Sequence, residues 1–294
     1  MFARLASKSL LNRKGSVVLT VMAMTVSIFV LLGVEHIRAQ SKQSFNSTVS
    51  GVDLIVGART GSLNLLLYSV FRLGSPTNNI DWETYQQIST KAKVAWSIPI
   101  SLGDSHKGFR VMGTTTDYFK YFSYGKKRHL EFSSGQPFAE LFDVVLGAQV
   151  ATKLGYSLGD KVILAHGLGT TSFKLHDKSP FNVVGILAAT GTPIDQTVHV
   201  SLQGIEAIHL DWQAIKTQAG TLTSAQLQAL ELEPKNITAL MLGLSSRMAT
   251  FGVQRDINNY RKEPLSAILP GVALSELWQM MGLLENTLRL ISGS

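Results

Sequence analysis

The residues that could carry out a reaction are few, and the most suggestive is a serine between two glycines. Gly155, Ser157 and Gly159 match the G-x-S-x-G pattern of the α/β-hydrolase nucleophile, which needs a strand before the serine and a helix after it. Here the preceding AQVATKL is typical of a helix and the following DKVILAHG of a strand. The glycines are therefore better explained as a helix cap and a turn, and a membrane-anchored hydrolase using Ser157 is the weakest hypothesis for function.

Other reactive patterns are missing from the sequence. The chain has no cysteine, which excludes disulfides, thiolate metal sites and a cysteine nucleophile. Its seven histidines show no H-E-x-x-H spacing, there is no Walker A pattern, and GLGTTS (residues 167–172) lacks the third glycine of a dinucleotide fingerprint. We expect no catalytic residue, no metal site and no cofactor bound by this chain.

Charge and hydropathy are both concentrated near the N-terminus. The 294 residues are 45% hydrophobic and only 16% charged, with a net charge of +7. Residues 1–34 hold four basic residues and no acidic one, so more than half of the excess positive charge lies beside an apolar segment. A nucleic-acid-binding protein would concentrate this charge on its folded domain, so no nucleic-acid partner is expected.

The apolar segment, residues 15–34, is predicted to be a transmembrane helix, because its uncharged residues span roughly 30 Å as a helix. The flanking cations Arg4, Lys8, Arg13 and Lys14 place the N-terminus in the cytoplasm. Residues 1–14 are predicted to form an amphipathic elbow on the cytoplasmic surface. A cleaved signal peptide is the alternative, but the following EHIRAQS does not offer the small residues of a cleavage site.

Residues 35–270 are predicted to form an α+β extracytoplasmic domain of one or two subdomains. Runs rich in valine and isoleucine predict strands at residues 52–58, 110–115, 143–148, 160–167, 181–187, 197–202 and 237–244. Helices are predicted at residues 81–92, with Asp81 as N-cap, at 148–155, ending at Gly155, and at 204–218, 223–232 and 250–262. Residues 124–135 are interpreted as a solvated loop. Contact of its basic residues 126–129 with an acidic ligand or lipid headgroup is the alternative.

The last residues, 271–294, are predicted to form a stalk helix. Leu274, Leu277, Trp278, Met281, Leu284 and Leu288 recur at a spacing of three and four, which gives one apolar stripe. We expect this helix to lead into a second transmembrane helix beyond the given sequence. The given sequence would then be part of a longer permease.

One segment carries an extended pattern. DVVLGAQVATKLGYSLGDKVIL, residues 143–164, reads LG-x-x-VA-x-x-LG-x-x-x-GD-x-V-x-L. The other segments that carry the resemblance described next are, in chain order, the basic elbow and first span, and residues 38–58, 109–122, 131–138, 181–195 and 272–286. Through these segments nearly the whole chain resembles the MacB/LolC/FtsX-type permeases of ABC transporters.

This resemblance implies a MacB-like periplasmic core domain between the first and second of four spans in the bacterial inner membrane. It also implies a homodimer or paired permeases, and a separate cytoplasmic ATPase that binds the ATP. No catalytic residue is carried over; Gly147, Gly155, Gly159 and Asp160 are expected to shape a helix–turn–strand without touching a ligand. A membrane-anchored extracytoplasmic sensor or binding domain is the alternative function.

Overall fold

The computed structural model describes residues 13–46, 48–166, 180–209 and 232–292. The chain divides into two compact units, residues 1–45 and 46–294. Most of the predicted elbow lies outside the described residues, as do the predicted helix at 223–232, except its last residue, and the second half of the helix at 204–218.

The described part of the first unit lies in one long helix, α1 (Lys14–Asn46). Its stretch Lys14–Ile37 is the one helix within the described residues that is long and apolar enough to cross a membrane. The apolar side chains of this stretch are exposed, Phe29 by 76% and Leu31 by 70%, as expected for a helix whose surroundings are lipid. The hydroxyls of Thr20 and Thr25 donate to carbonyls one turn earlier, at 2.9 and 2.8 Å, so they do not interrupt the helix.

The second unit alternates short strands and helices. Its first half contains β1 (Leu54–Ala58), α2 (Ser62–Ser69), β2 (Ile80–Asp81), α3 (Trp82–Ser89), β3 (Val94–His106), β4 (Phe109–Thr114), α4 (Asp117–Tyr121), β5 (Ser123–Tyr124), β6 (Arg128–His129) and β7 (Phe132–Gly135). Its second half contains β8 (Asp143–Leu146), α5 (Ala148–Leu154), β9 (Lys161–Val162), β10 (Ala165–His166), β11 (Phe181–Leu187), β12 (Thr197–Ser201), α6 (Leu202–His209), β13 (Asn236–Ile237), β14 (Ala239–Leu244), α7 (Thr250–Asn258), β15 (Leu265–Ile268) and α8 (Pro270–Ser292). Short 3₁₀ helices lie at Pro193–Gln196 and Arg247–Ala249.

Most strands join one mixed sheet of the order β15-β1-β14-β3-β4-β12-β8-β11-β7, with β10 and β9 attached to β3 and β11. Strand β3 links its two halves, because its first half pairs with β14 and its second half with β4. One buried cluster packs under β8, β11 and β12, and a second packs between β1, β14 and the helices α3 and α7. The predicted α+β class is therefore confirmed.

The chain enters and leaves the sheet at the same end. Strand β1 is antiparallel to both β14 and β15, with Ile55 opposite Met241 and Ile268. The start of β1 therefore lies beside the ends of β14 and β15. We call this the attachment end, because the segment that follows α1 reaches it and α8 starts from it at Pro270.

The predicted apolar stripe of α8 is only partly covered by the domain. Leu274 is buried, whereas Met281 and Leu284 are exposed by 42% and 64%. The first turns are held against α2, where the hydroxyl of Ser62 donates to Glu276 at 2.5 Å. The helix thus packs on the domain at its start and continues beyond it.

Two predictions of local structure were wrong. Residues 124–135 are not a loop: β5 and β6 form a hairpin, and β7 pairs with β11 at the edge of the sheet. The hairpin turns through Gly125 and Lys127, which both have positive φ. The predicted strand at 160–167 is split, because β9 pairs with β11 while β10 pairs with β3.

Candidate functional site

The segment with the extended pattern forms a helix held between two strands of the sheet. Gly147 is the N-cap of α5, with φ −66° and ψ 153°. A Cβ at Gly147 would lie 2.3 Å from the carbonyl oxygen of Ile194 and 2.6 Å from Asp195 backbone atoms. Glycine is therefore required here because the backbone of the Pro193–Gln196 turn touches the start of the helix.

The end of α5 and the turn that follows it use two glycines and one carboxylate. Gly155 ends the helix in the left-handed conformation (φ 69°, ψ 32°), as predicted, and Gly159 has φ 89°. The Asp160 carboxylate accepts a hydrogen bond of 2.7 Å from the backbone N–H of Ser157. Backbone bonds of Gly159 and Asp160 to Val183 attach the turn to β11. All four predicted architectural residues thus lie in one helix–turn–strand unit.

The conformation of Gly159 leads to a stability prediction. We expect Gly159→Val to destabilise the domain by about 2 kcal/mol, because a β-branched residue is strained at positive φ. Thermal unfolding of the purified chain measures this. Gly103→Val is the control, since Gly103 has open space around it and no positive φ. A Gly159 variant with unchanged stability that has lost only its activity would contradict the architectural role.

The serine of the G-x-S-x-G pattern lies in the turn between α5 and β9. The helix precedes it and the strand follows it, the reverse of a nucleophile elbow. The nearby imidazole of His106 contacts the Tyr156 hydroxyl at 2.9 Å and the Ile163 carbonyl at 2.7 Å. Burial lowers the pKa of His106. The local geometry is that of a capped helix.

The carboxylate of Asp195 is a structural residue that the sequence analysis did not single out. It accepts hydrogen bonds of 2.8 Å from the N–H and the hydroxyl of Thr190 and from the N–H of Gly191. Its side chain is almost fully buried, at 2% exposure. It therefore organises the turn that touches Gly147, and the only signal for it in the sequence is the turn-like composition of TGTPID.

A shallow hollow of about 290 Å³ lies beside α5. Its lining is mostly apolar and includes Ala148, Ala151, Ile186 and Ala188. The hydroxyls at its wall are engaged within the protein, for example that of Thr152, which donates to the Ala148 carbonyl at 2.8 Å. The hollow presents no charged side chain that would define a ligand.

A buried polar group connects α2, α4 and β12. The guanidinium of Arg72 donates to the carbonyl of Ser69 and lies beside the Tyr118 hydroxyl. The rings of Tyr118 and His199 are 5.4 Å apart. Burial raises the pKa of Tyr118 to about 12, and burial together with the Arg72 charge lowers the pKa of His199 to about 3. His199 is therefore neutral in the folded protein at physiological pH.

This buried histidine predicts a loss of stability in acid. Below its unfolded pKa of about 6.5, the unfolded chain takes up a proton that the folded chain does not, so stability falls as pH falls. Through His199, the free energy of unfolding is expected to be about 2 kcal/mol lower at pH 5 than above pH 7. Urea unfolding between pH 7 and pH 5 measures it. His199→Phe should reduce this pH dependence, whereas His129→Phe, at an exposed site, serves as the control and should not. If the free energy of unfolding changed equally with pH in the wild type and both variants, His199 would not be the group responsible.

In the described residues, no three His, Asp or Glu side chains are grouped as ligands for a metal ion. The fold is an α+β domain that follows a long apolar helix in the sequence. The connections of this domain to α1 and α8 both lie at the attachment end. The family model of the MacB-like periplasmic core domain matches residues 17–231, which is most of the chain. The chain belongs to this family, whose members are periplasmic domains of ABC transporter permeases.

No curated protein sequence matches the chain. Several solved structures are similar to the chain, and two of them are described here. One is the periplasmic region of MacB from Actinobacillus actinomycetemcomitans, with 10% identity, a TM-score of 0.46, and coverage of 78% of this chain and 94% of that one. The other is the extracellular domain of the noncanonic ABC-type transporter YknZ from Gram-positive bacteria, with 13% identity, a TM-score of 0.40, and coverage of 74% and 98%.

Proposed function

We propose that this chain is the permease subunit of an ABC transporter of the MacB/LolC/FtsX type. A separate cytoplasmic ATPase binds and hydrolyses ATP, and the permease couples this to export, lipoprotein release or mechanical signalling. The single observation that carries the proposal is the family match over residues 17–231. In this proposal the nucleotide site and the catalytic residues belong to the ATPase.

The proposed topology follows from the N-terminal helix. The apolar stretch Lys14–Ile37 crosses the inner membrane with its basic N-terminal side in the cytoplasm. The second unit is then periplasmic. Two such permeases, identical or paired, form the transport unit with the ATPase.

The sheet is suited to transmitting movement. Strands β1 and β15 are hydrogen-bonded neighbours, and the connections to α1 and α8 both lie at the attachment end. Displacement of α1 or of α8 would therefore act on adjacent strands of one sheet, and the sheet would move as a body. Close packing in the two buried clusters makes this coupling stiff.

Purification of the protein from its native membranes in mild detergent tests the proposal. We expect an ABC-type ATPase to co-purify in a defined ratio, and the ATPase activity of the complex to stop on addition of orthovanadate. Replacing the Walker A lysine of that ATPase should abolish the activity without loss of the complex. Purification with a signalling kinase in place of an ATPase would instead support the sensor function and overturn this proposal.

A further inference from the structure

We propose that the buried side chains of Arg72, Tyr118 and His199 form a binding site for a small monovalent anion such as chloride. Arg72 follows α2, Tyr118 lies on α4 and His199 lies on β12. Each has one buried polar atom that makes no hydrogen bond of normal geometry to any described residue: Arg72 Nε, the Tyr118 hydroxyl and His199 Nε2. Buried polar atoms are normally hydrogen-bonded, because leaving one unpaired costs free energy. Three such atoms in neighbouring side chains therefore indicate a ligand.

The sheet register makes these three side chains neighbours. Strands β4 and β12 are parallel, and Met112 of β4 is paired with His199 of β12. The Arg72 guanidinium contacts the Met112 sulfur through Nη2, at 2.7 Å, so it lies beside the His199 position. The Tyr118 ring is 5.4 Å from the His199 ring, and the Tyr118 hydroxyl lies beside the guanidinium. Residues that are far apart in the chain thus meet in one buried place.

The guanidinium of Arg72 is a buried charge without a carboxylate. Arg72 is only 9% exposed. Within the described residues, the titratable side chains that act on it are those of Tyr118 and Arg110, and Arg110 is a second cation. The Met112 thioether is a weak acceptor. Buried arginines are normally paired with an anion, so a bound anion would supply the negative charge that this group needs.

The imidazole of His199 can provide a further donor. Its Nδ1 contacts the Val145 carbonyl at 3.3 Å, and because a carbonyl only accepts, Nδ1 carries the hydrogen of the neutral ring. Nε2 becomes a donor when it takes up a proton, which the nearby Arg72 charge disfavours. An anion between the two groups would offset that repulsion. Anion binding and proton uptake are therefore coupled, and the affinity should rise as the pH falls.

The closure of the site favours a small ion of single charge. Tyr118 and His199 are 0% exposed, so an ion must leave its water to bind between them. One halide balances the charge of Arg72. A divalent oxyanion would bury an additional negative charge without a partner, which is costly.

Thermal unfolding of the full chain in mild detergent tests the proposal. Sodium chloride replaces sodium gluconate at constant ionic strength, because gluconate is too large for the site. We expect the melting temperature to rise with chloride, since a ligand that binds the folded state stabilises it. The rise should be larger at pH 5 than at pH 8. Equal melting temperatures in chloride and gluconate would overturn the proposal, because the polar atoms would then hold internal water only.

Variants identify the residues that hold the ion. Arg72→Met should abolish the chloride dependence, and Tyr118→Phe should weaken the apparent affinity about tenfold through the loss of one hydrogen bond to a charged group. Lys127→Met is the matched control, because Lys127 is an exposed cation with φ 58°, close to the 60° of Arg72. The control should respond to chloride as the wild type does. An equal response in Arg72→Met would show a general salt effect and overturn the assignment.

Bromide locates the site without any variant. Crystals of the full chain grown in bromide should show an anomalous scattering peak within hydrogen-bond distance of Arg72 Nε and the Tyr118 hydroxyl. Peaks confined to the protein surface would be adventitious ions only and would contradict the proposal, even if the variants failed to fold.

Discussion

Gly147→Ala is expected to destabilise the domain by about 3 kcal/mol, enough to unfold a marginally stable protein. The added methyl group would lie 2.3 Å from the carbonyl oxygen of Ile194, and backbone cannot rotate away as a flexible side chain can. Either α5 or the Pro193–Gln196 turn must move, and both are fastened to the sheet. Thermal unfolding and limited proteolysis of the purified full chain measure the effect.

Gly61→Ala is a closely matched control for this prediction. Gly61 is the N-cap of α2 with φ −66° and ψ 148°, nearly the conformation of Gly147. It has open space where its Cβ would stand. The control should change stability by less than 1 kcal/mol. Equal effects of the two substitutions would show that the close approach to Ile194 does not matter.

Asp195→Ala is expected to cost about 3 kcal/mol. The substitution leaves the N–H groups of Thr190 and Gly191 and the hydroxyl of Thr190 without their charged acceptor, in a site that is almost fully buried. The stability of Asp195→Asn should lie between those of the wild type and Asp195→Ala, because one amide oxygen can still accept the hydrogen bonds from Thr190. Urea unfolding gives the free energies.

Asp256→Ala serves as the control for the carboxylate. Asp256 is exposed on α7, and a surface substitution there should stay within about 0.5 kcal/mol of wild type. If Asp195→Ala were as stable as this control, the carboxylate would not organise the turn against α5.

The sequence predicted those elements whose residues carry a strong local pattern. Strand β11 has its predicted bounds, and α5 ends at Gly155 as expected, because valine-rich runs and capping glycines act locally. The fold class and the family are likewise confirmed. The role of Asp81 was only half right: it is the N-cap of α3 by position, but its side chain makes no capping bond.

The longest strand, β3, was missed because its sequence argues against it. It contains Pro99 and Gly103, residues that are unfavourable within strands. At Pro99, β3 pairs with β14 alone, because its pairing with β4 starts only at Ser101. The proline is therefore tolerated there. The helix α1 continues past the predicted transmembrane segment, residues 15–34, to Asn46. The boundary of that segment was drawn from hydropathy, whereas a helix can continue through polar residues.

Only those parts of the site that depend on residues close together in the sequence were predicted. Gly155, Gly159 and Asp160 form a turn whose logic is contained in consecutive residues. The contact of Gly147 with Ile194 and the burial of Arg72 beside Tyr118 and His199 join residues far apart in the chain. Such contacts follow from the sheet order, which no local pattern specifies.

Cysteine labelling in cells tests the central claim most directly, namely that the folded unit lies outside the cytoplasm and the N-terminus within it. A single cysteine is introduced at the exposed Gln136 of the domain or at Ser7, which precedes α1 in the sequence, in a chain that has no cysteine of its own. Cells with a permeabilised outer envelope are treated with a maleimide that cannot cross the inner membrane. We predict that Gln136→Cys is labelled in intact cells and Ser7→Cys only after lysis. Labelling of Ser7→Cys in intact cells, with Gln136→Cys protected until lysis, would contradict the account.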